Sequence, residues 1–259
     1  MDFLDITIWD VLISLGLVAI VVVVSISYRL ALEKDLAIGA IRCFIQLIAA
    51  GYVLKWIFGF DKWYIVLLTL VVMTLIAGYH ALRRADEPLG RSLVYAIGGI
   101  TIGASIVLTV TFSLVIRVDP WYAPQYVVPL GGMMINGAMN GVSVGMLSLK
   151  NAARDNREYL DSALALGVKG EVAAQKFYRQ AIKTALIPTI NGLMTVGIVQ
   201  MPGIMSGSII AGVDPTQAVL YQIVVMYALA AAQCLAVIVG LRFYVRSFFN
   251  KAQQLVVGE

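Results

Sequence analysis

Seven long apolar runs, at 8–28, 36–58, 63–81, 93–116, 127–149, 185–205 and 218–241, leave this chain few ways to fold. Each approaches the roughly 20 residues that a helix needs to cross a hydrocarbon core of about 30 Å, and a spanning helix satisfies its own backbone where water is absent. A composition of 60% hydrophobic and 13% charged residues over 259 positions lies outside the soluble class. The sequence therefore predicts an all-α polytopic membrane protein of about seven transmembrane helices, a single transmembrane domain over 1–259. The sixth run is the least regular. Pro188, Gly192, Gly197, Pro202 and Gly203 fall inside it, so a helix broken or kinked in its outer half is expected there.

The chain starts Met1-Asp2-Phe3-Leu4-Asp5, without the basic segment or small-residue cleavage site of a secretory signal, so the first run is expected to stay in the mature protein. Cys43 and Cys234 lie within apolar runs and read as buried small hydrophobes. The net charge of +4 comes from basic residues in connecting segments, which is an orientation signal; no nucleic-acid motif accompanies it and no nucleic-acid partner is expected.

Lys and Arg favour alternate connections. One set holds Arg29 and Lys34; Arg83, Arg84 and Arg91; Lys150, Arg154, Arg157, Lys169, Lys176, Arg179 and Lys183; and Arg242, Arg246 and Lys251. The opposite connections offer Lys55, Lys62 and Arg117. The positive-inside rule makes the first set cytoplasmic, with the N-terminus outside and the C-terminus inside. Trp9, Trp63, Tyr64, Trp121 and Tyr122 then fall at outer span ends, where amphipathic rings favour the headgroup layer.

One connection is long: the cytoplasmic stretch 150–184. Tyr159, Leu160, Ala163, Leu164 and Leu166 recur at helical spacing beside Asp155, Arg157, Glu158 and Asp161, and Gly167 offers a stop, which predicts a short amphipathic helix. A second helical stretch is expected from near Glu171 through Phe177, Tyr178, Ala181 and Ile182, with Lys176, Arg179 and Lys183 at the headgroup boundary and Pro188 interrupting the entry into the sixth run. No G-x-x-x-x-G-K-S/T phosphate loop occurs, and no soluble segment is large enough for an ATPase fold.

The element Asp161-Ser162-Ala163-Leu164-Ala165-Leu166-Gly167 resembles the E-A-A-x-x-x-G element of ABC importer permeases and related transporters, whose short helix docks on an ATPase subunit; Pro188 resembles its downstream proline. Asp and Ser replace Glu and Ala, and the glycine-to-proline spacing is longer, so this is not an ordinary importer signature. Leu30-Ala31-Leu32-Glu33-Lys34-Asp35, Gln46-Leu47-Ile48, Gly51-Tyr52-Val53-Leu54-Lys55, Met201-Pro202-Gly203-Ile204-Met205-Ser206-Gly207, Ala211-Gly212-Val213-Asp214-Pro215 and Tyr221-Gln222-Ile223 resemble FetB-type permeases. The likeness runs to Gln253-Gln254-Leu255-Val256-Val257. It implies a bacterial inner-membrane complex of two permeases, a homodimer, with two ATPase subunits that bind ATP and Mg, associated with iron export and oxidative-stress resistance. Similar plant permeases are tied to aluminium tolerance and sugar-nucleotide transport. The resemblance makes Asp161, Ser162, Ala163 and Gly167 the ATPase-coupling candidates. No cofactor is expected in the chain itself.

Polar side chains inside spans are costly and usually face a bundle interior or cavity, so they are candidates for a substrate pathway. Arg42 and Gln46 share a face of the second span, and Arg42 reads either as a pathway residue or as an anchor snorkelling to the interface. Asn136 and Asn140 share a face of the fifth span with Met133, as helix glue or cavity lining; the glycines Gly131, Gly132, Gly137, Gly141 and Gly145 indicate tight packing there, against the chain itself or a second copy. Asn191, Gln200, Met201 and Met205 accompany the irregular sixth run, which would border a route if broken. Met201 and Met205, one turn apart, read as core packing or as soft ligands suited to copper(I). His80 stands without a second histidine or cysteine nearby and reads as structural, and Asp10 is the one carboxylate inside the runs.

The reading is an ABC exporter permease for iron or another metal, a transport subunit without its own enzyme site. The alternatives are a permease for an organic solute such as a sugar nucleotide, a seven-span receptor or scaffold, and an intramembrane enzyme. The first remains open. The amphipathic coupling loop argues against the second, and no HExxH, aspartate pair or Ser/His arrangement supports the third.

Overall fold

A computed structural model describes residues 7–60, 62–250 and 252–256. The opening Met1–Asp5 segment, Lys251 and Val257 lie outside the described residues. Helices run in the order α1 (Ile8–Ser27), α2 (Glu33–Gly59), α3 (Trp63–Arg84), α4 (Arg91–Val110), a π-helical turn (Thr111–Val115), α5 (Pro124–Asp155), α6 (Arg157–Ala165), α7 (Gly170–Ala173), α8 (Gln175–Thr195), α9 (Gly203–Ile210) and α10 (Pro215–Arg246). Among the described residues there is no β-strand, only the isolated bridges Val196 to Gln200 and Phe249 to Leu255. The chain is an all-α polytopic membrane protein. By length and composition, six helices can cross a bilayer: Trp9–Ser27, Glu33–Gly59, Trp63–Arg84, Arg91–Val115, Pro124–Asp155 and Pro215–Arg246.

The sixth apolar run is the exception. Its first part belongs to α8, whose opening turns carry Lys176, Arg179 and Lys183; after Thr195 the chain turns through Gly197 at φ +84° and resumes as α9. The amides of Ile198 and Val199 both donate to the Thr195 carbonyl, which closes the turn. Pro202 disfavours helical backbone at Met201, so α9 begins only beyond it. A break is thus present in the later half of the run, where one was expected. The interruption expected at Pro188 is not, because α8 passes through that proline without ending.

The chain divides into two compact units, 1–61 with 210–212, and 62–209 with 213–259. In the first, α1 and α2 form a hairpin. The Thr7 amide and hydroxyl donate to Asp10 at the start of α1, over 2.8 and 2.7 Å. At the hairpin turn the buried Ser25 accepts from the Leu32 amide on its hydroxyl and from the Leu30 amide on its carbonyl.

The second unit is built on close helix contact. A Cβ at Gly99 of α4 would lie 2.7 Å from the Ala236 carbonyl oxygen and 2.8 Å from Gly240 Cα on α10; one at Gly103 would lie 2.7 Å from the Ala232 carbonyl oxygen. Two glycines four residues apart therefore set backbone against backbone, the arrangement by which membrane helices gain van der Waals contact without a hydrophobic driving force. The α5 glycines are occupied within the chain too: Gly131 and Gly132 face Leu70 and Met73 of α3, Gly141 faces Gln233 and Val237, and Gly145 faces Leu241 of α10. Ala81, Ile100, Met134, Val142, Met146, Ala181, Ala232 and Leu241 fill the core between these helices.

Cys43 is exposed and Cys234 half-buried, which corrects the expectation that both are covered: an apolar side chain on a spanning helix needs no protein over it. The stretch 150–184 is also more ordered than a loop. Its start belongs to α5 and its end to α8, and α6 and α7 occupy most of the rest.

Candidate functional site

α6 follows α5 after one residue, Asn156, whose side-chain amide donates to the Ala152 carbonyl over 2.9 Å. The short helix is anchored by Leu160, fully buried, and by the half-buried Ala163 and Leu164. Asp161 and Ser162 stay exposed; Asp161 lies 3.7 Å from Arg157 one turn earlier. At the C-terminal end the Val168 amide donates to Ala163 and the Gly167 amide to Leu164, with Gly167 at φ +80°. This pattern satisfies the last carbonyls, and its left-handed residue is the reason for glycine there. Just before it Leu166 is 85% exposed, an apolar side chain projecting at the tip.

The base of this element is tied down. Glu171 of α7 pairs with Arg242 at 3.3 Å and Arg246 at 3.0 Å on α10, and the Gly170 amide donates to the Gln253 side chain over 2.9 Å. An open cleft of about 630 Å³ runs between Asp161, Leu164 and Ala165 on one side and Gln253, Gln254 and Leu255 on the other. On α5, Lys150 sits 3.0 Å from Glu87 and also donates to the Asp86 carbonyl, while Ser92 donates to Glu87 over 3.2 Å. The turn between α3 and α4 is thereby held to the helix that leads into α6.

The polar candidates scatter. Arg42 and Gln46 lie on α2 in the first unit, both exposed, their side chains making no hydrogen bond or ion pair among the described residues. Asn140 accepts from Arg84 Nη1 over 2.8 Å and so ties α5 to α3, whereas Asn136 is exposed on α5. Asn191 is exposed on α8, and its carbonyl accepts from the Thr195 hydroxyl. Gln200, in the break, helps line a cavity of about 420 Å³ with Met133, Pro202, Gln222, Met226 and Leu229. Met201 precedes α9 while Met205 lies within it, so the two do not share a helical turn; the cause is Pro202 between them. His80 is half-buried on α3 beside Tyr79, edge to face at 5.6 Å. Among the described residues no group of three His, Cys, Asp or Glu could hold a metal ion.

Two buried glutamines on α10 escaped the sequence reading. Gln233 donates to the Ala185 carbonyl over 3.0 Å and accepts from the Thr189 hydroxyl, bracketing Pro188 on α8. Pro188 has no N–H for the Thr184 carbonyl and crowds it, and Gln233 ties α10 to α8 at the neighbouring carbonyl and hydroxyl, on either side of the proline. Gln222 is 4% exposed and its Oε1 has no hydrogen-bond partner. The signal was available, since the rule applied to spans five and six, that a polar residue in a span has a task, holds equally for the seventh.

The model of an uncharacterised protein family, UPF0014, matches residues 8–249. The chain belongs to UPF0014. Among its relatives, the probable iron export permease protein FetB of Escherichia coli K12 is 35% identical over 95% of this chain and 93% of its own length. Protein ALUMINUM SENSITIVE 3 of Arabidopsis thaliana is 32% identical over 93% of this chain and 87% of its own, and the UPF0014 membrane protein YjkA of Bacillus subtilis is 30% identical over the full length of both. No solved structure matches the chain. Membrane proteins named UPF0014 thus occur in a bacterium and in a plant, Oryza sativa, and the likeness to FetB covers both the α6 element and the helix break.

Proposed function

We propose that this chain is the membrane-spanning permease subunit of an ABC transporter that exports iron or another metal, driven by ATP hydrolysis on a separate ATPase chain. Two permease copies would pair with two ATPase copies in a bacterial inner membrane, the N-terminus outside and the C-terminus inside, with α8 and α9 together making a broken seventh crossing beside the six long helices. The observation that carries the reading is the likeness over nearly the whole chain to a protein named as a probable iron export permease. The projecting α6, buried at Leu160 and exposed at Asp161, Ser162 and Leu166, supports it as the part a partner could grip.

In this reading the partner binds ATP and Mg, and its closure displaces α6. Because a single residue separates α6 from α5, the displacement passes into a long spanning helix clamped to the α3–α4 turn through Lys150 and Glu87. The chain moves solute by changing access and makes or breaks no covalent bond. A second cargo, an organic solute, is favoured by the lining of the cavity at the break, where amides and thioethers stand without a charged group.

The test is to co-express the chain with candidate ABC ATPase subunits from the same genome, reconstitute the pair in liposomes, and record ATP hydrolysis and ferrous-iron flux for wild type and Gly167→Trp. Hydrolysis and flux that both fall in the variant support the coupled exporter. Failure of any ATPase to bind, or hydrolysis indifferent to Gly167, sinks it; hydrolysis without iron flux keeps the ATPase coupling and replaces the metal by an organic cargo.

A further inference from the structure

The cavity at the break of the sixth run is walled by three separate pieces of the second unit: Met133 from α5, the 196–204 turn with Gln200 and Pro202, and α10 with Gln222, Met226 and Leu229. Its volume, about 420 Å³, falls in the range of roughly 300–1,000 Å³ seen for small-molecule sites, which are mostly apolar with a few convergent polar groups. No ionisable side chain lines it. A charged occupant would therefore leave water without a counter-charge, which the interior of a spanning bundle penalises heavily. That argues against a bare metal ion, and the two thioethers and two amides do not offset a dication's loss of hydration.

The polar part of the wall narrows the occupant further. Gln222 Oε1 is buried without a hydrogen-bond partner. A lipid tail has no donor to offer it. Glutamine's last torsion is broad, so the amide can turn within its wall to meet a donor brought into the cavity. We propose that this cavity is a binding site for an uncharged, mostly apolar organic molecule that donates a hydrogen bond, with Gln222 as the acceptor and Met133, Met226 and Leu229 as the apolar walls. The inference stands on the cavity alone and requires neither a particular cargo nor an ATPase.

The test uses the full chain in lipid nanodiscs and the dye N-phenyl-1-naphthylamine, uncharged and carrying one N–H, beside its N-methyl derivative, which lacks the donor. Fluorescence is read against empty nanodiscs. The expected result is a saturable phase of one dye per chain, with the N-methyl dye about tenfold weaker, the loss of one donated hydrogen bond. Leu229→Trp should fill the cavity and abolish the phase, and Gln222→Leu should make the two dyes equal. The comparison of dyes needs no variant, so misfolding cannot imitate it. Absence of a saturable phase above empty nanodiscs, equal binding of the two dyes to wild type, or an unchanged phase in Leu229→Trp overturns the proposal.

Discussion

Lys150 Nζ lies 3.0 Å from Glu87 Oε1, and the two side chains are only 7% and 12% exposed. Taking Lys150 away strands Glu87 out of water, which typically costs about 3–5 kcal/mol; taking Glu87 away leaves Lys150 only the exposed Asp86 carboxylate at 3.9 Å, a smaller loss, whereas replacing both by apolar groups of similar size is close to neutral. Lys150→Met and Glu87→Gln should each lower the midpoint of thermal unfolding of the purified chain, and Lys150→Met combined with Glu87→Leu should recover most of the loss. A double variant as unstable as the sum of the singles would refute this account.

Gln233 is expected to matter through Pro188. Gln233→Leu removes both its bond to the Ala185 carbonyl and its bond with Thr189, a loss of about 1–2 kcal/mol on the scale of hydrogen bonds between membrane helices. Thr189→Val should cost less, and should cost almost nothing once Gln233 is already Leu. A double-mutant cycle of unfolding free energies measures this coupling, and strict additivity would count against it.

Gly99 and Gly103 should be intolerant of even a methyl group. Their added Cβ would meet the backbone of α10, which cannot swing aside as a side chain can, so Gly99→Ala and Gly103→Ala are expected to cost about 1–3 kcal/mol each. Gly137→Ala is the control, because its nearest neighbour would be Gln233 Oε1 at 3.8 Å. Equal stability of all three variants in detergent would remove the argument for close α4–α10 contact.

Gly167 is limited by its backbone rather than by space, since nothing lies within 4 Å of an added Cβ. Gly167→Ala should therefore cost about 1 kcal/mol, and Gly167→Asn less, because asparagine tolerates the left-handed region. Amide exchange over Leu164–Val168 is the direct readout. Faster exchange in the alanine variant than in the asparagine variant is expected, and the reverse order would show that the φ of +80° is not what selects glycine.

Much of this fold was legible because spans announce themselves by length. The runs 63–81 and 93–116 anticipate α3 and the α4 segment to within a few residues, and Gly167 marks the end of α6. What escaped was whatever depends on a neighbour. The proline at 188 reads as a stop until Gln233, 45 positions away, is seen to bond Ala185 and Thr189 on either side of it. Lys150 reads as a loop cation until Glu87 is beside it. Met201 and Met205 have helical spacing, but spacing says nothing when a proline between them delays the helix. Hydropathy likewise merged α8 and α9 into a single run, since it averages over the glycine that turns the chain.

The single Asn156 between α5 and α6 makes the join a matter of phase. An α-helix advances about 100° per residue, so one residue added or removed there would rotate Leu160 out of its seat and turn the face bearing Asp161 by more than a quarter of a circle. Side-chain chemistry on α6 can drift while the direction it points is kept. The length of this joint cannot drift, and insertions and deletions should be far scarcer at 155–157 than the exposure of those residues would lead one to expect.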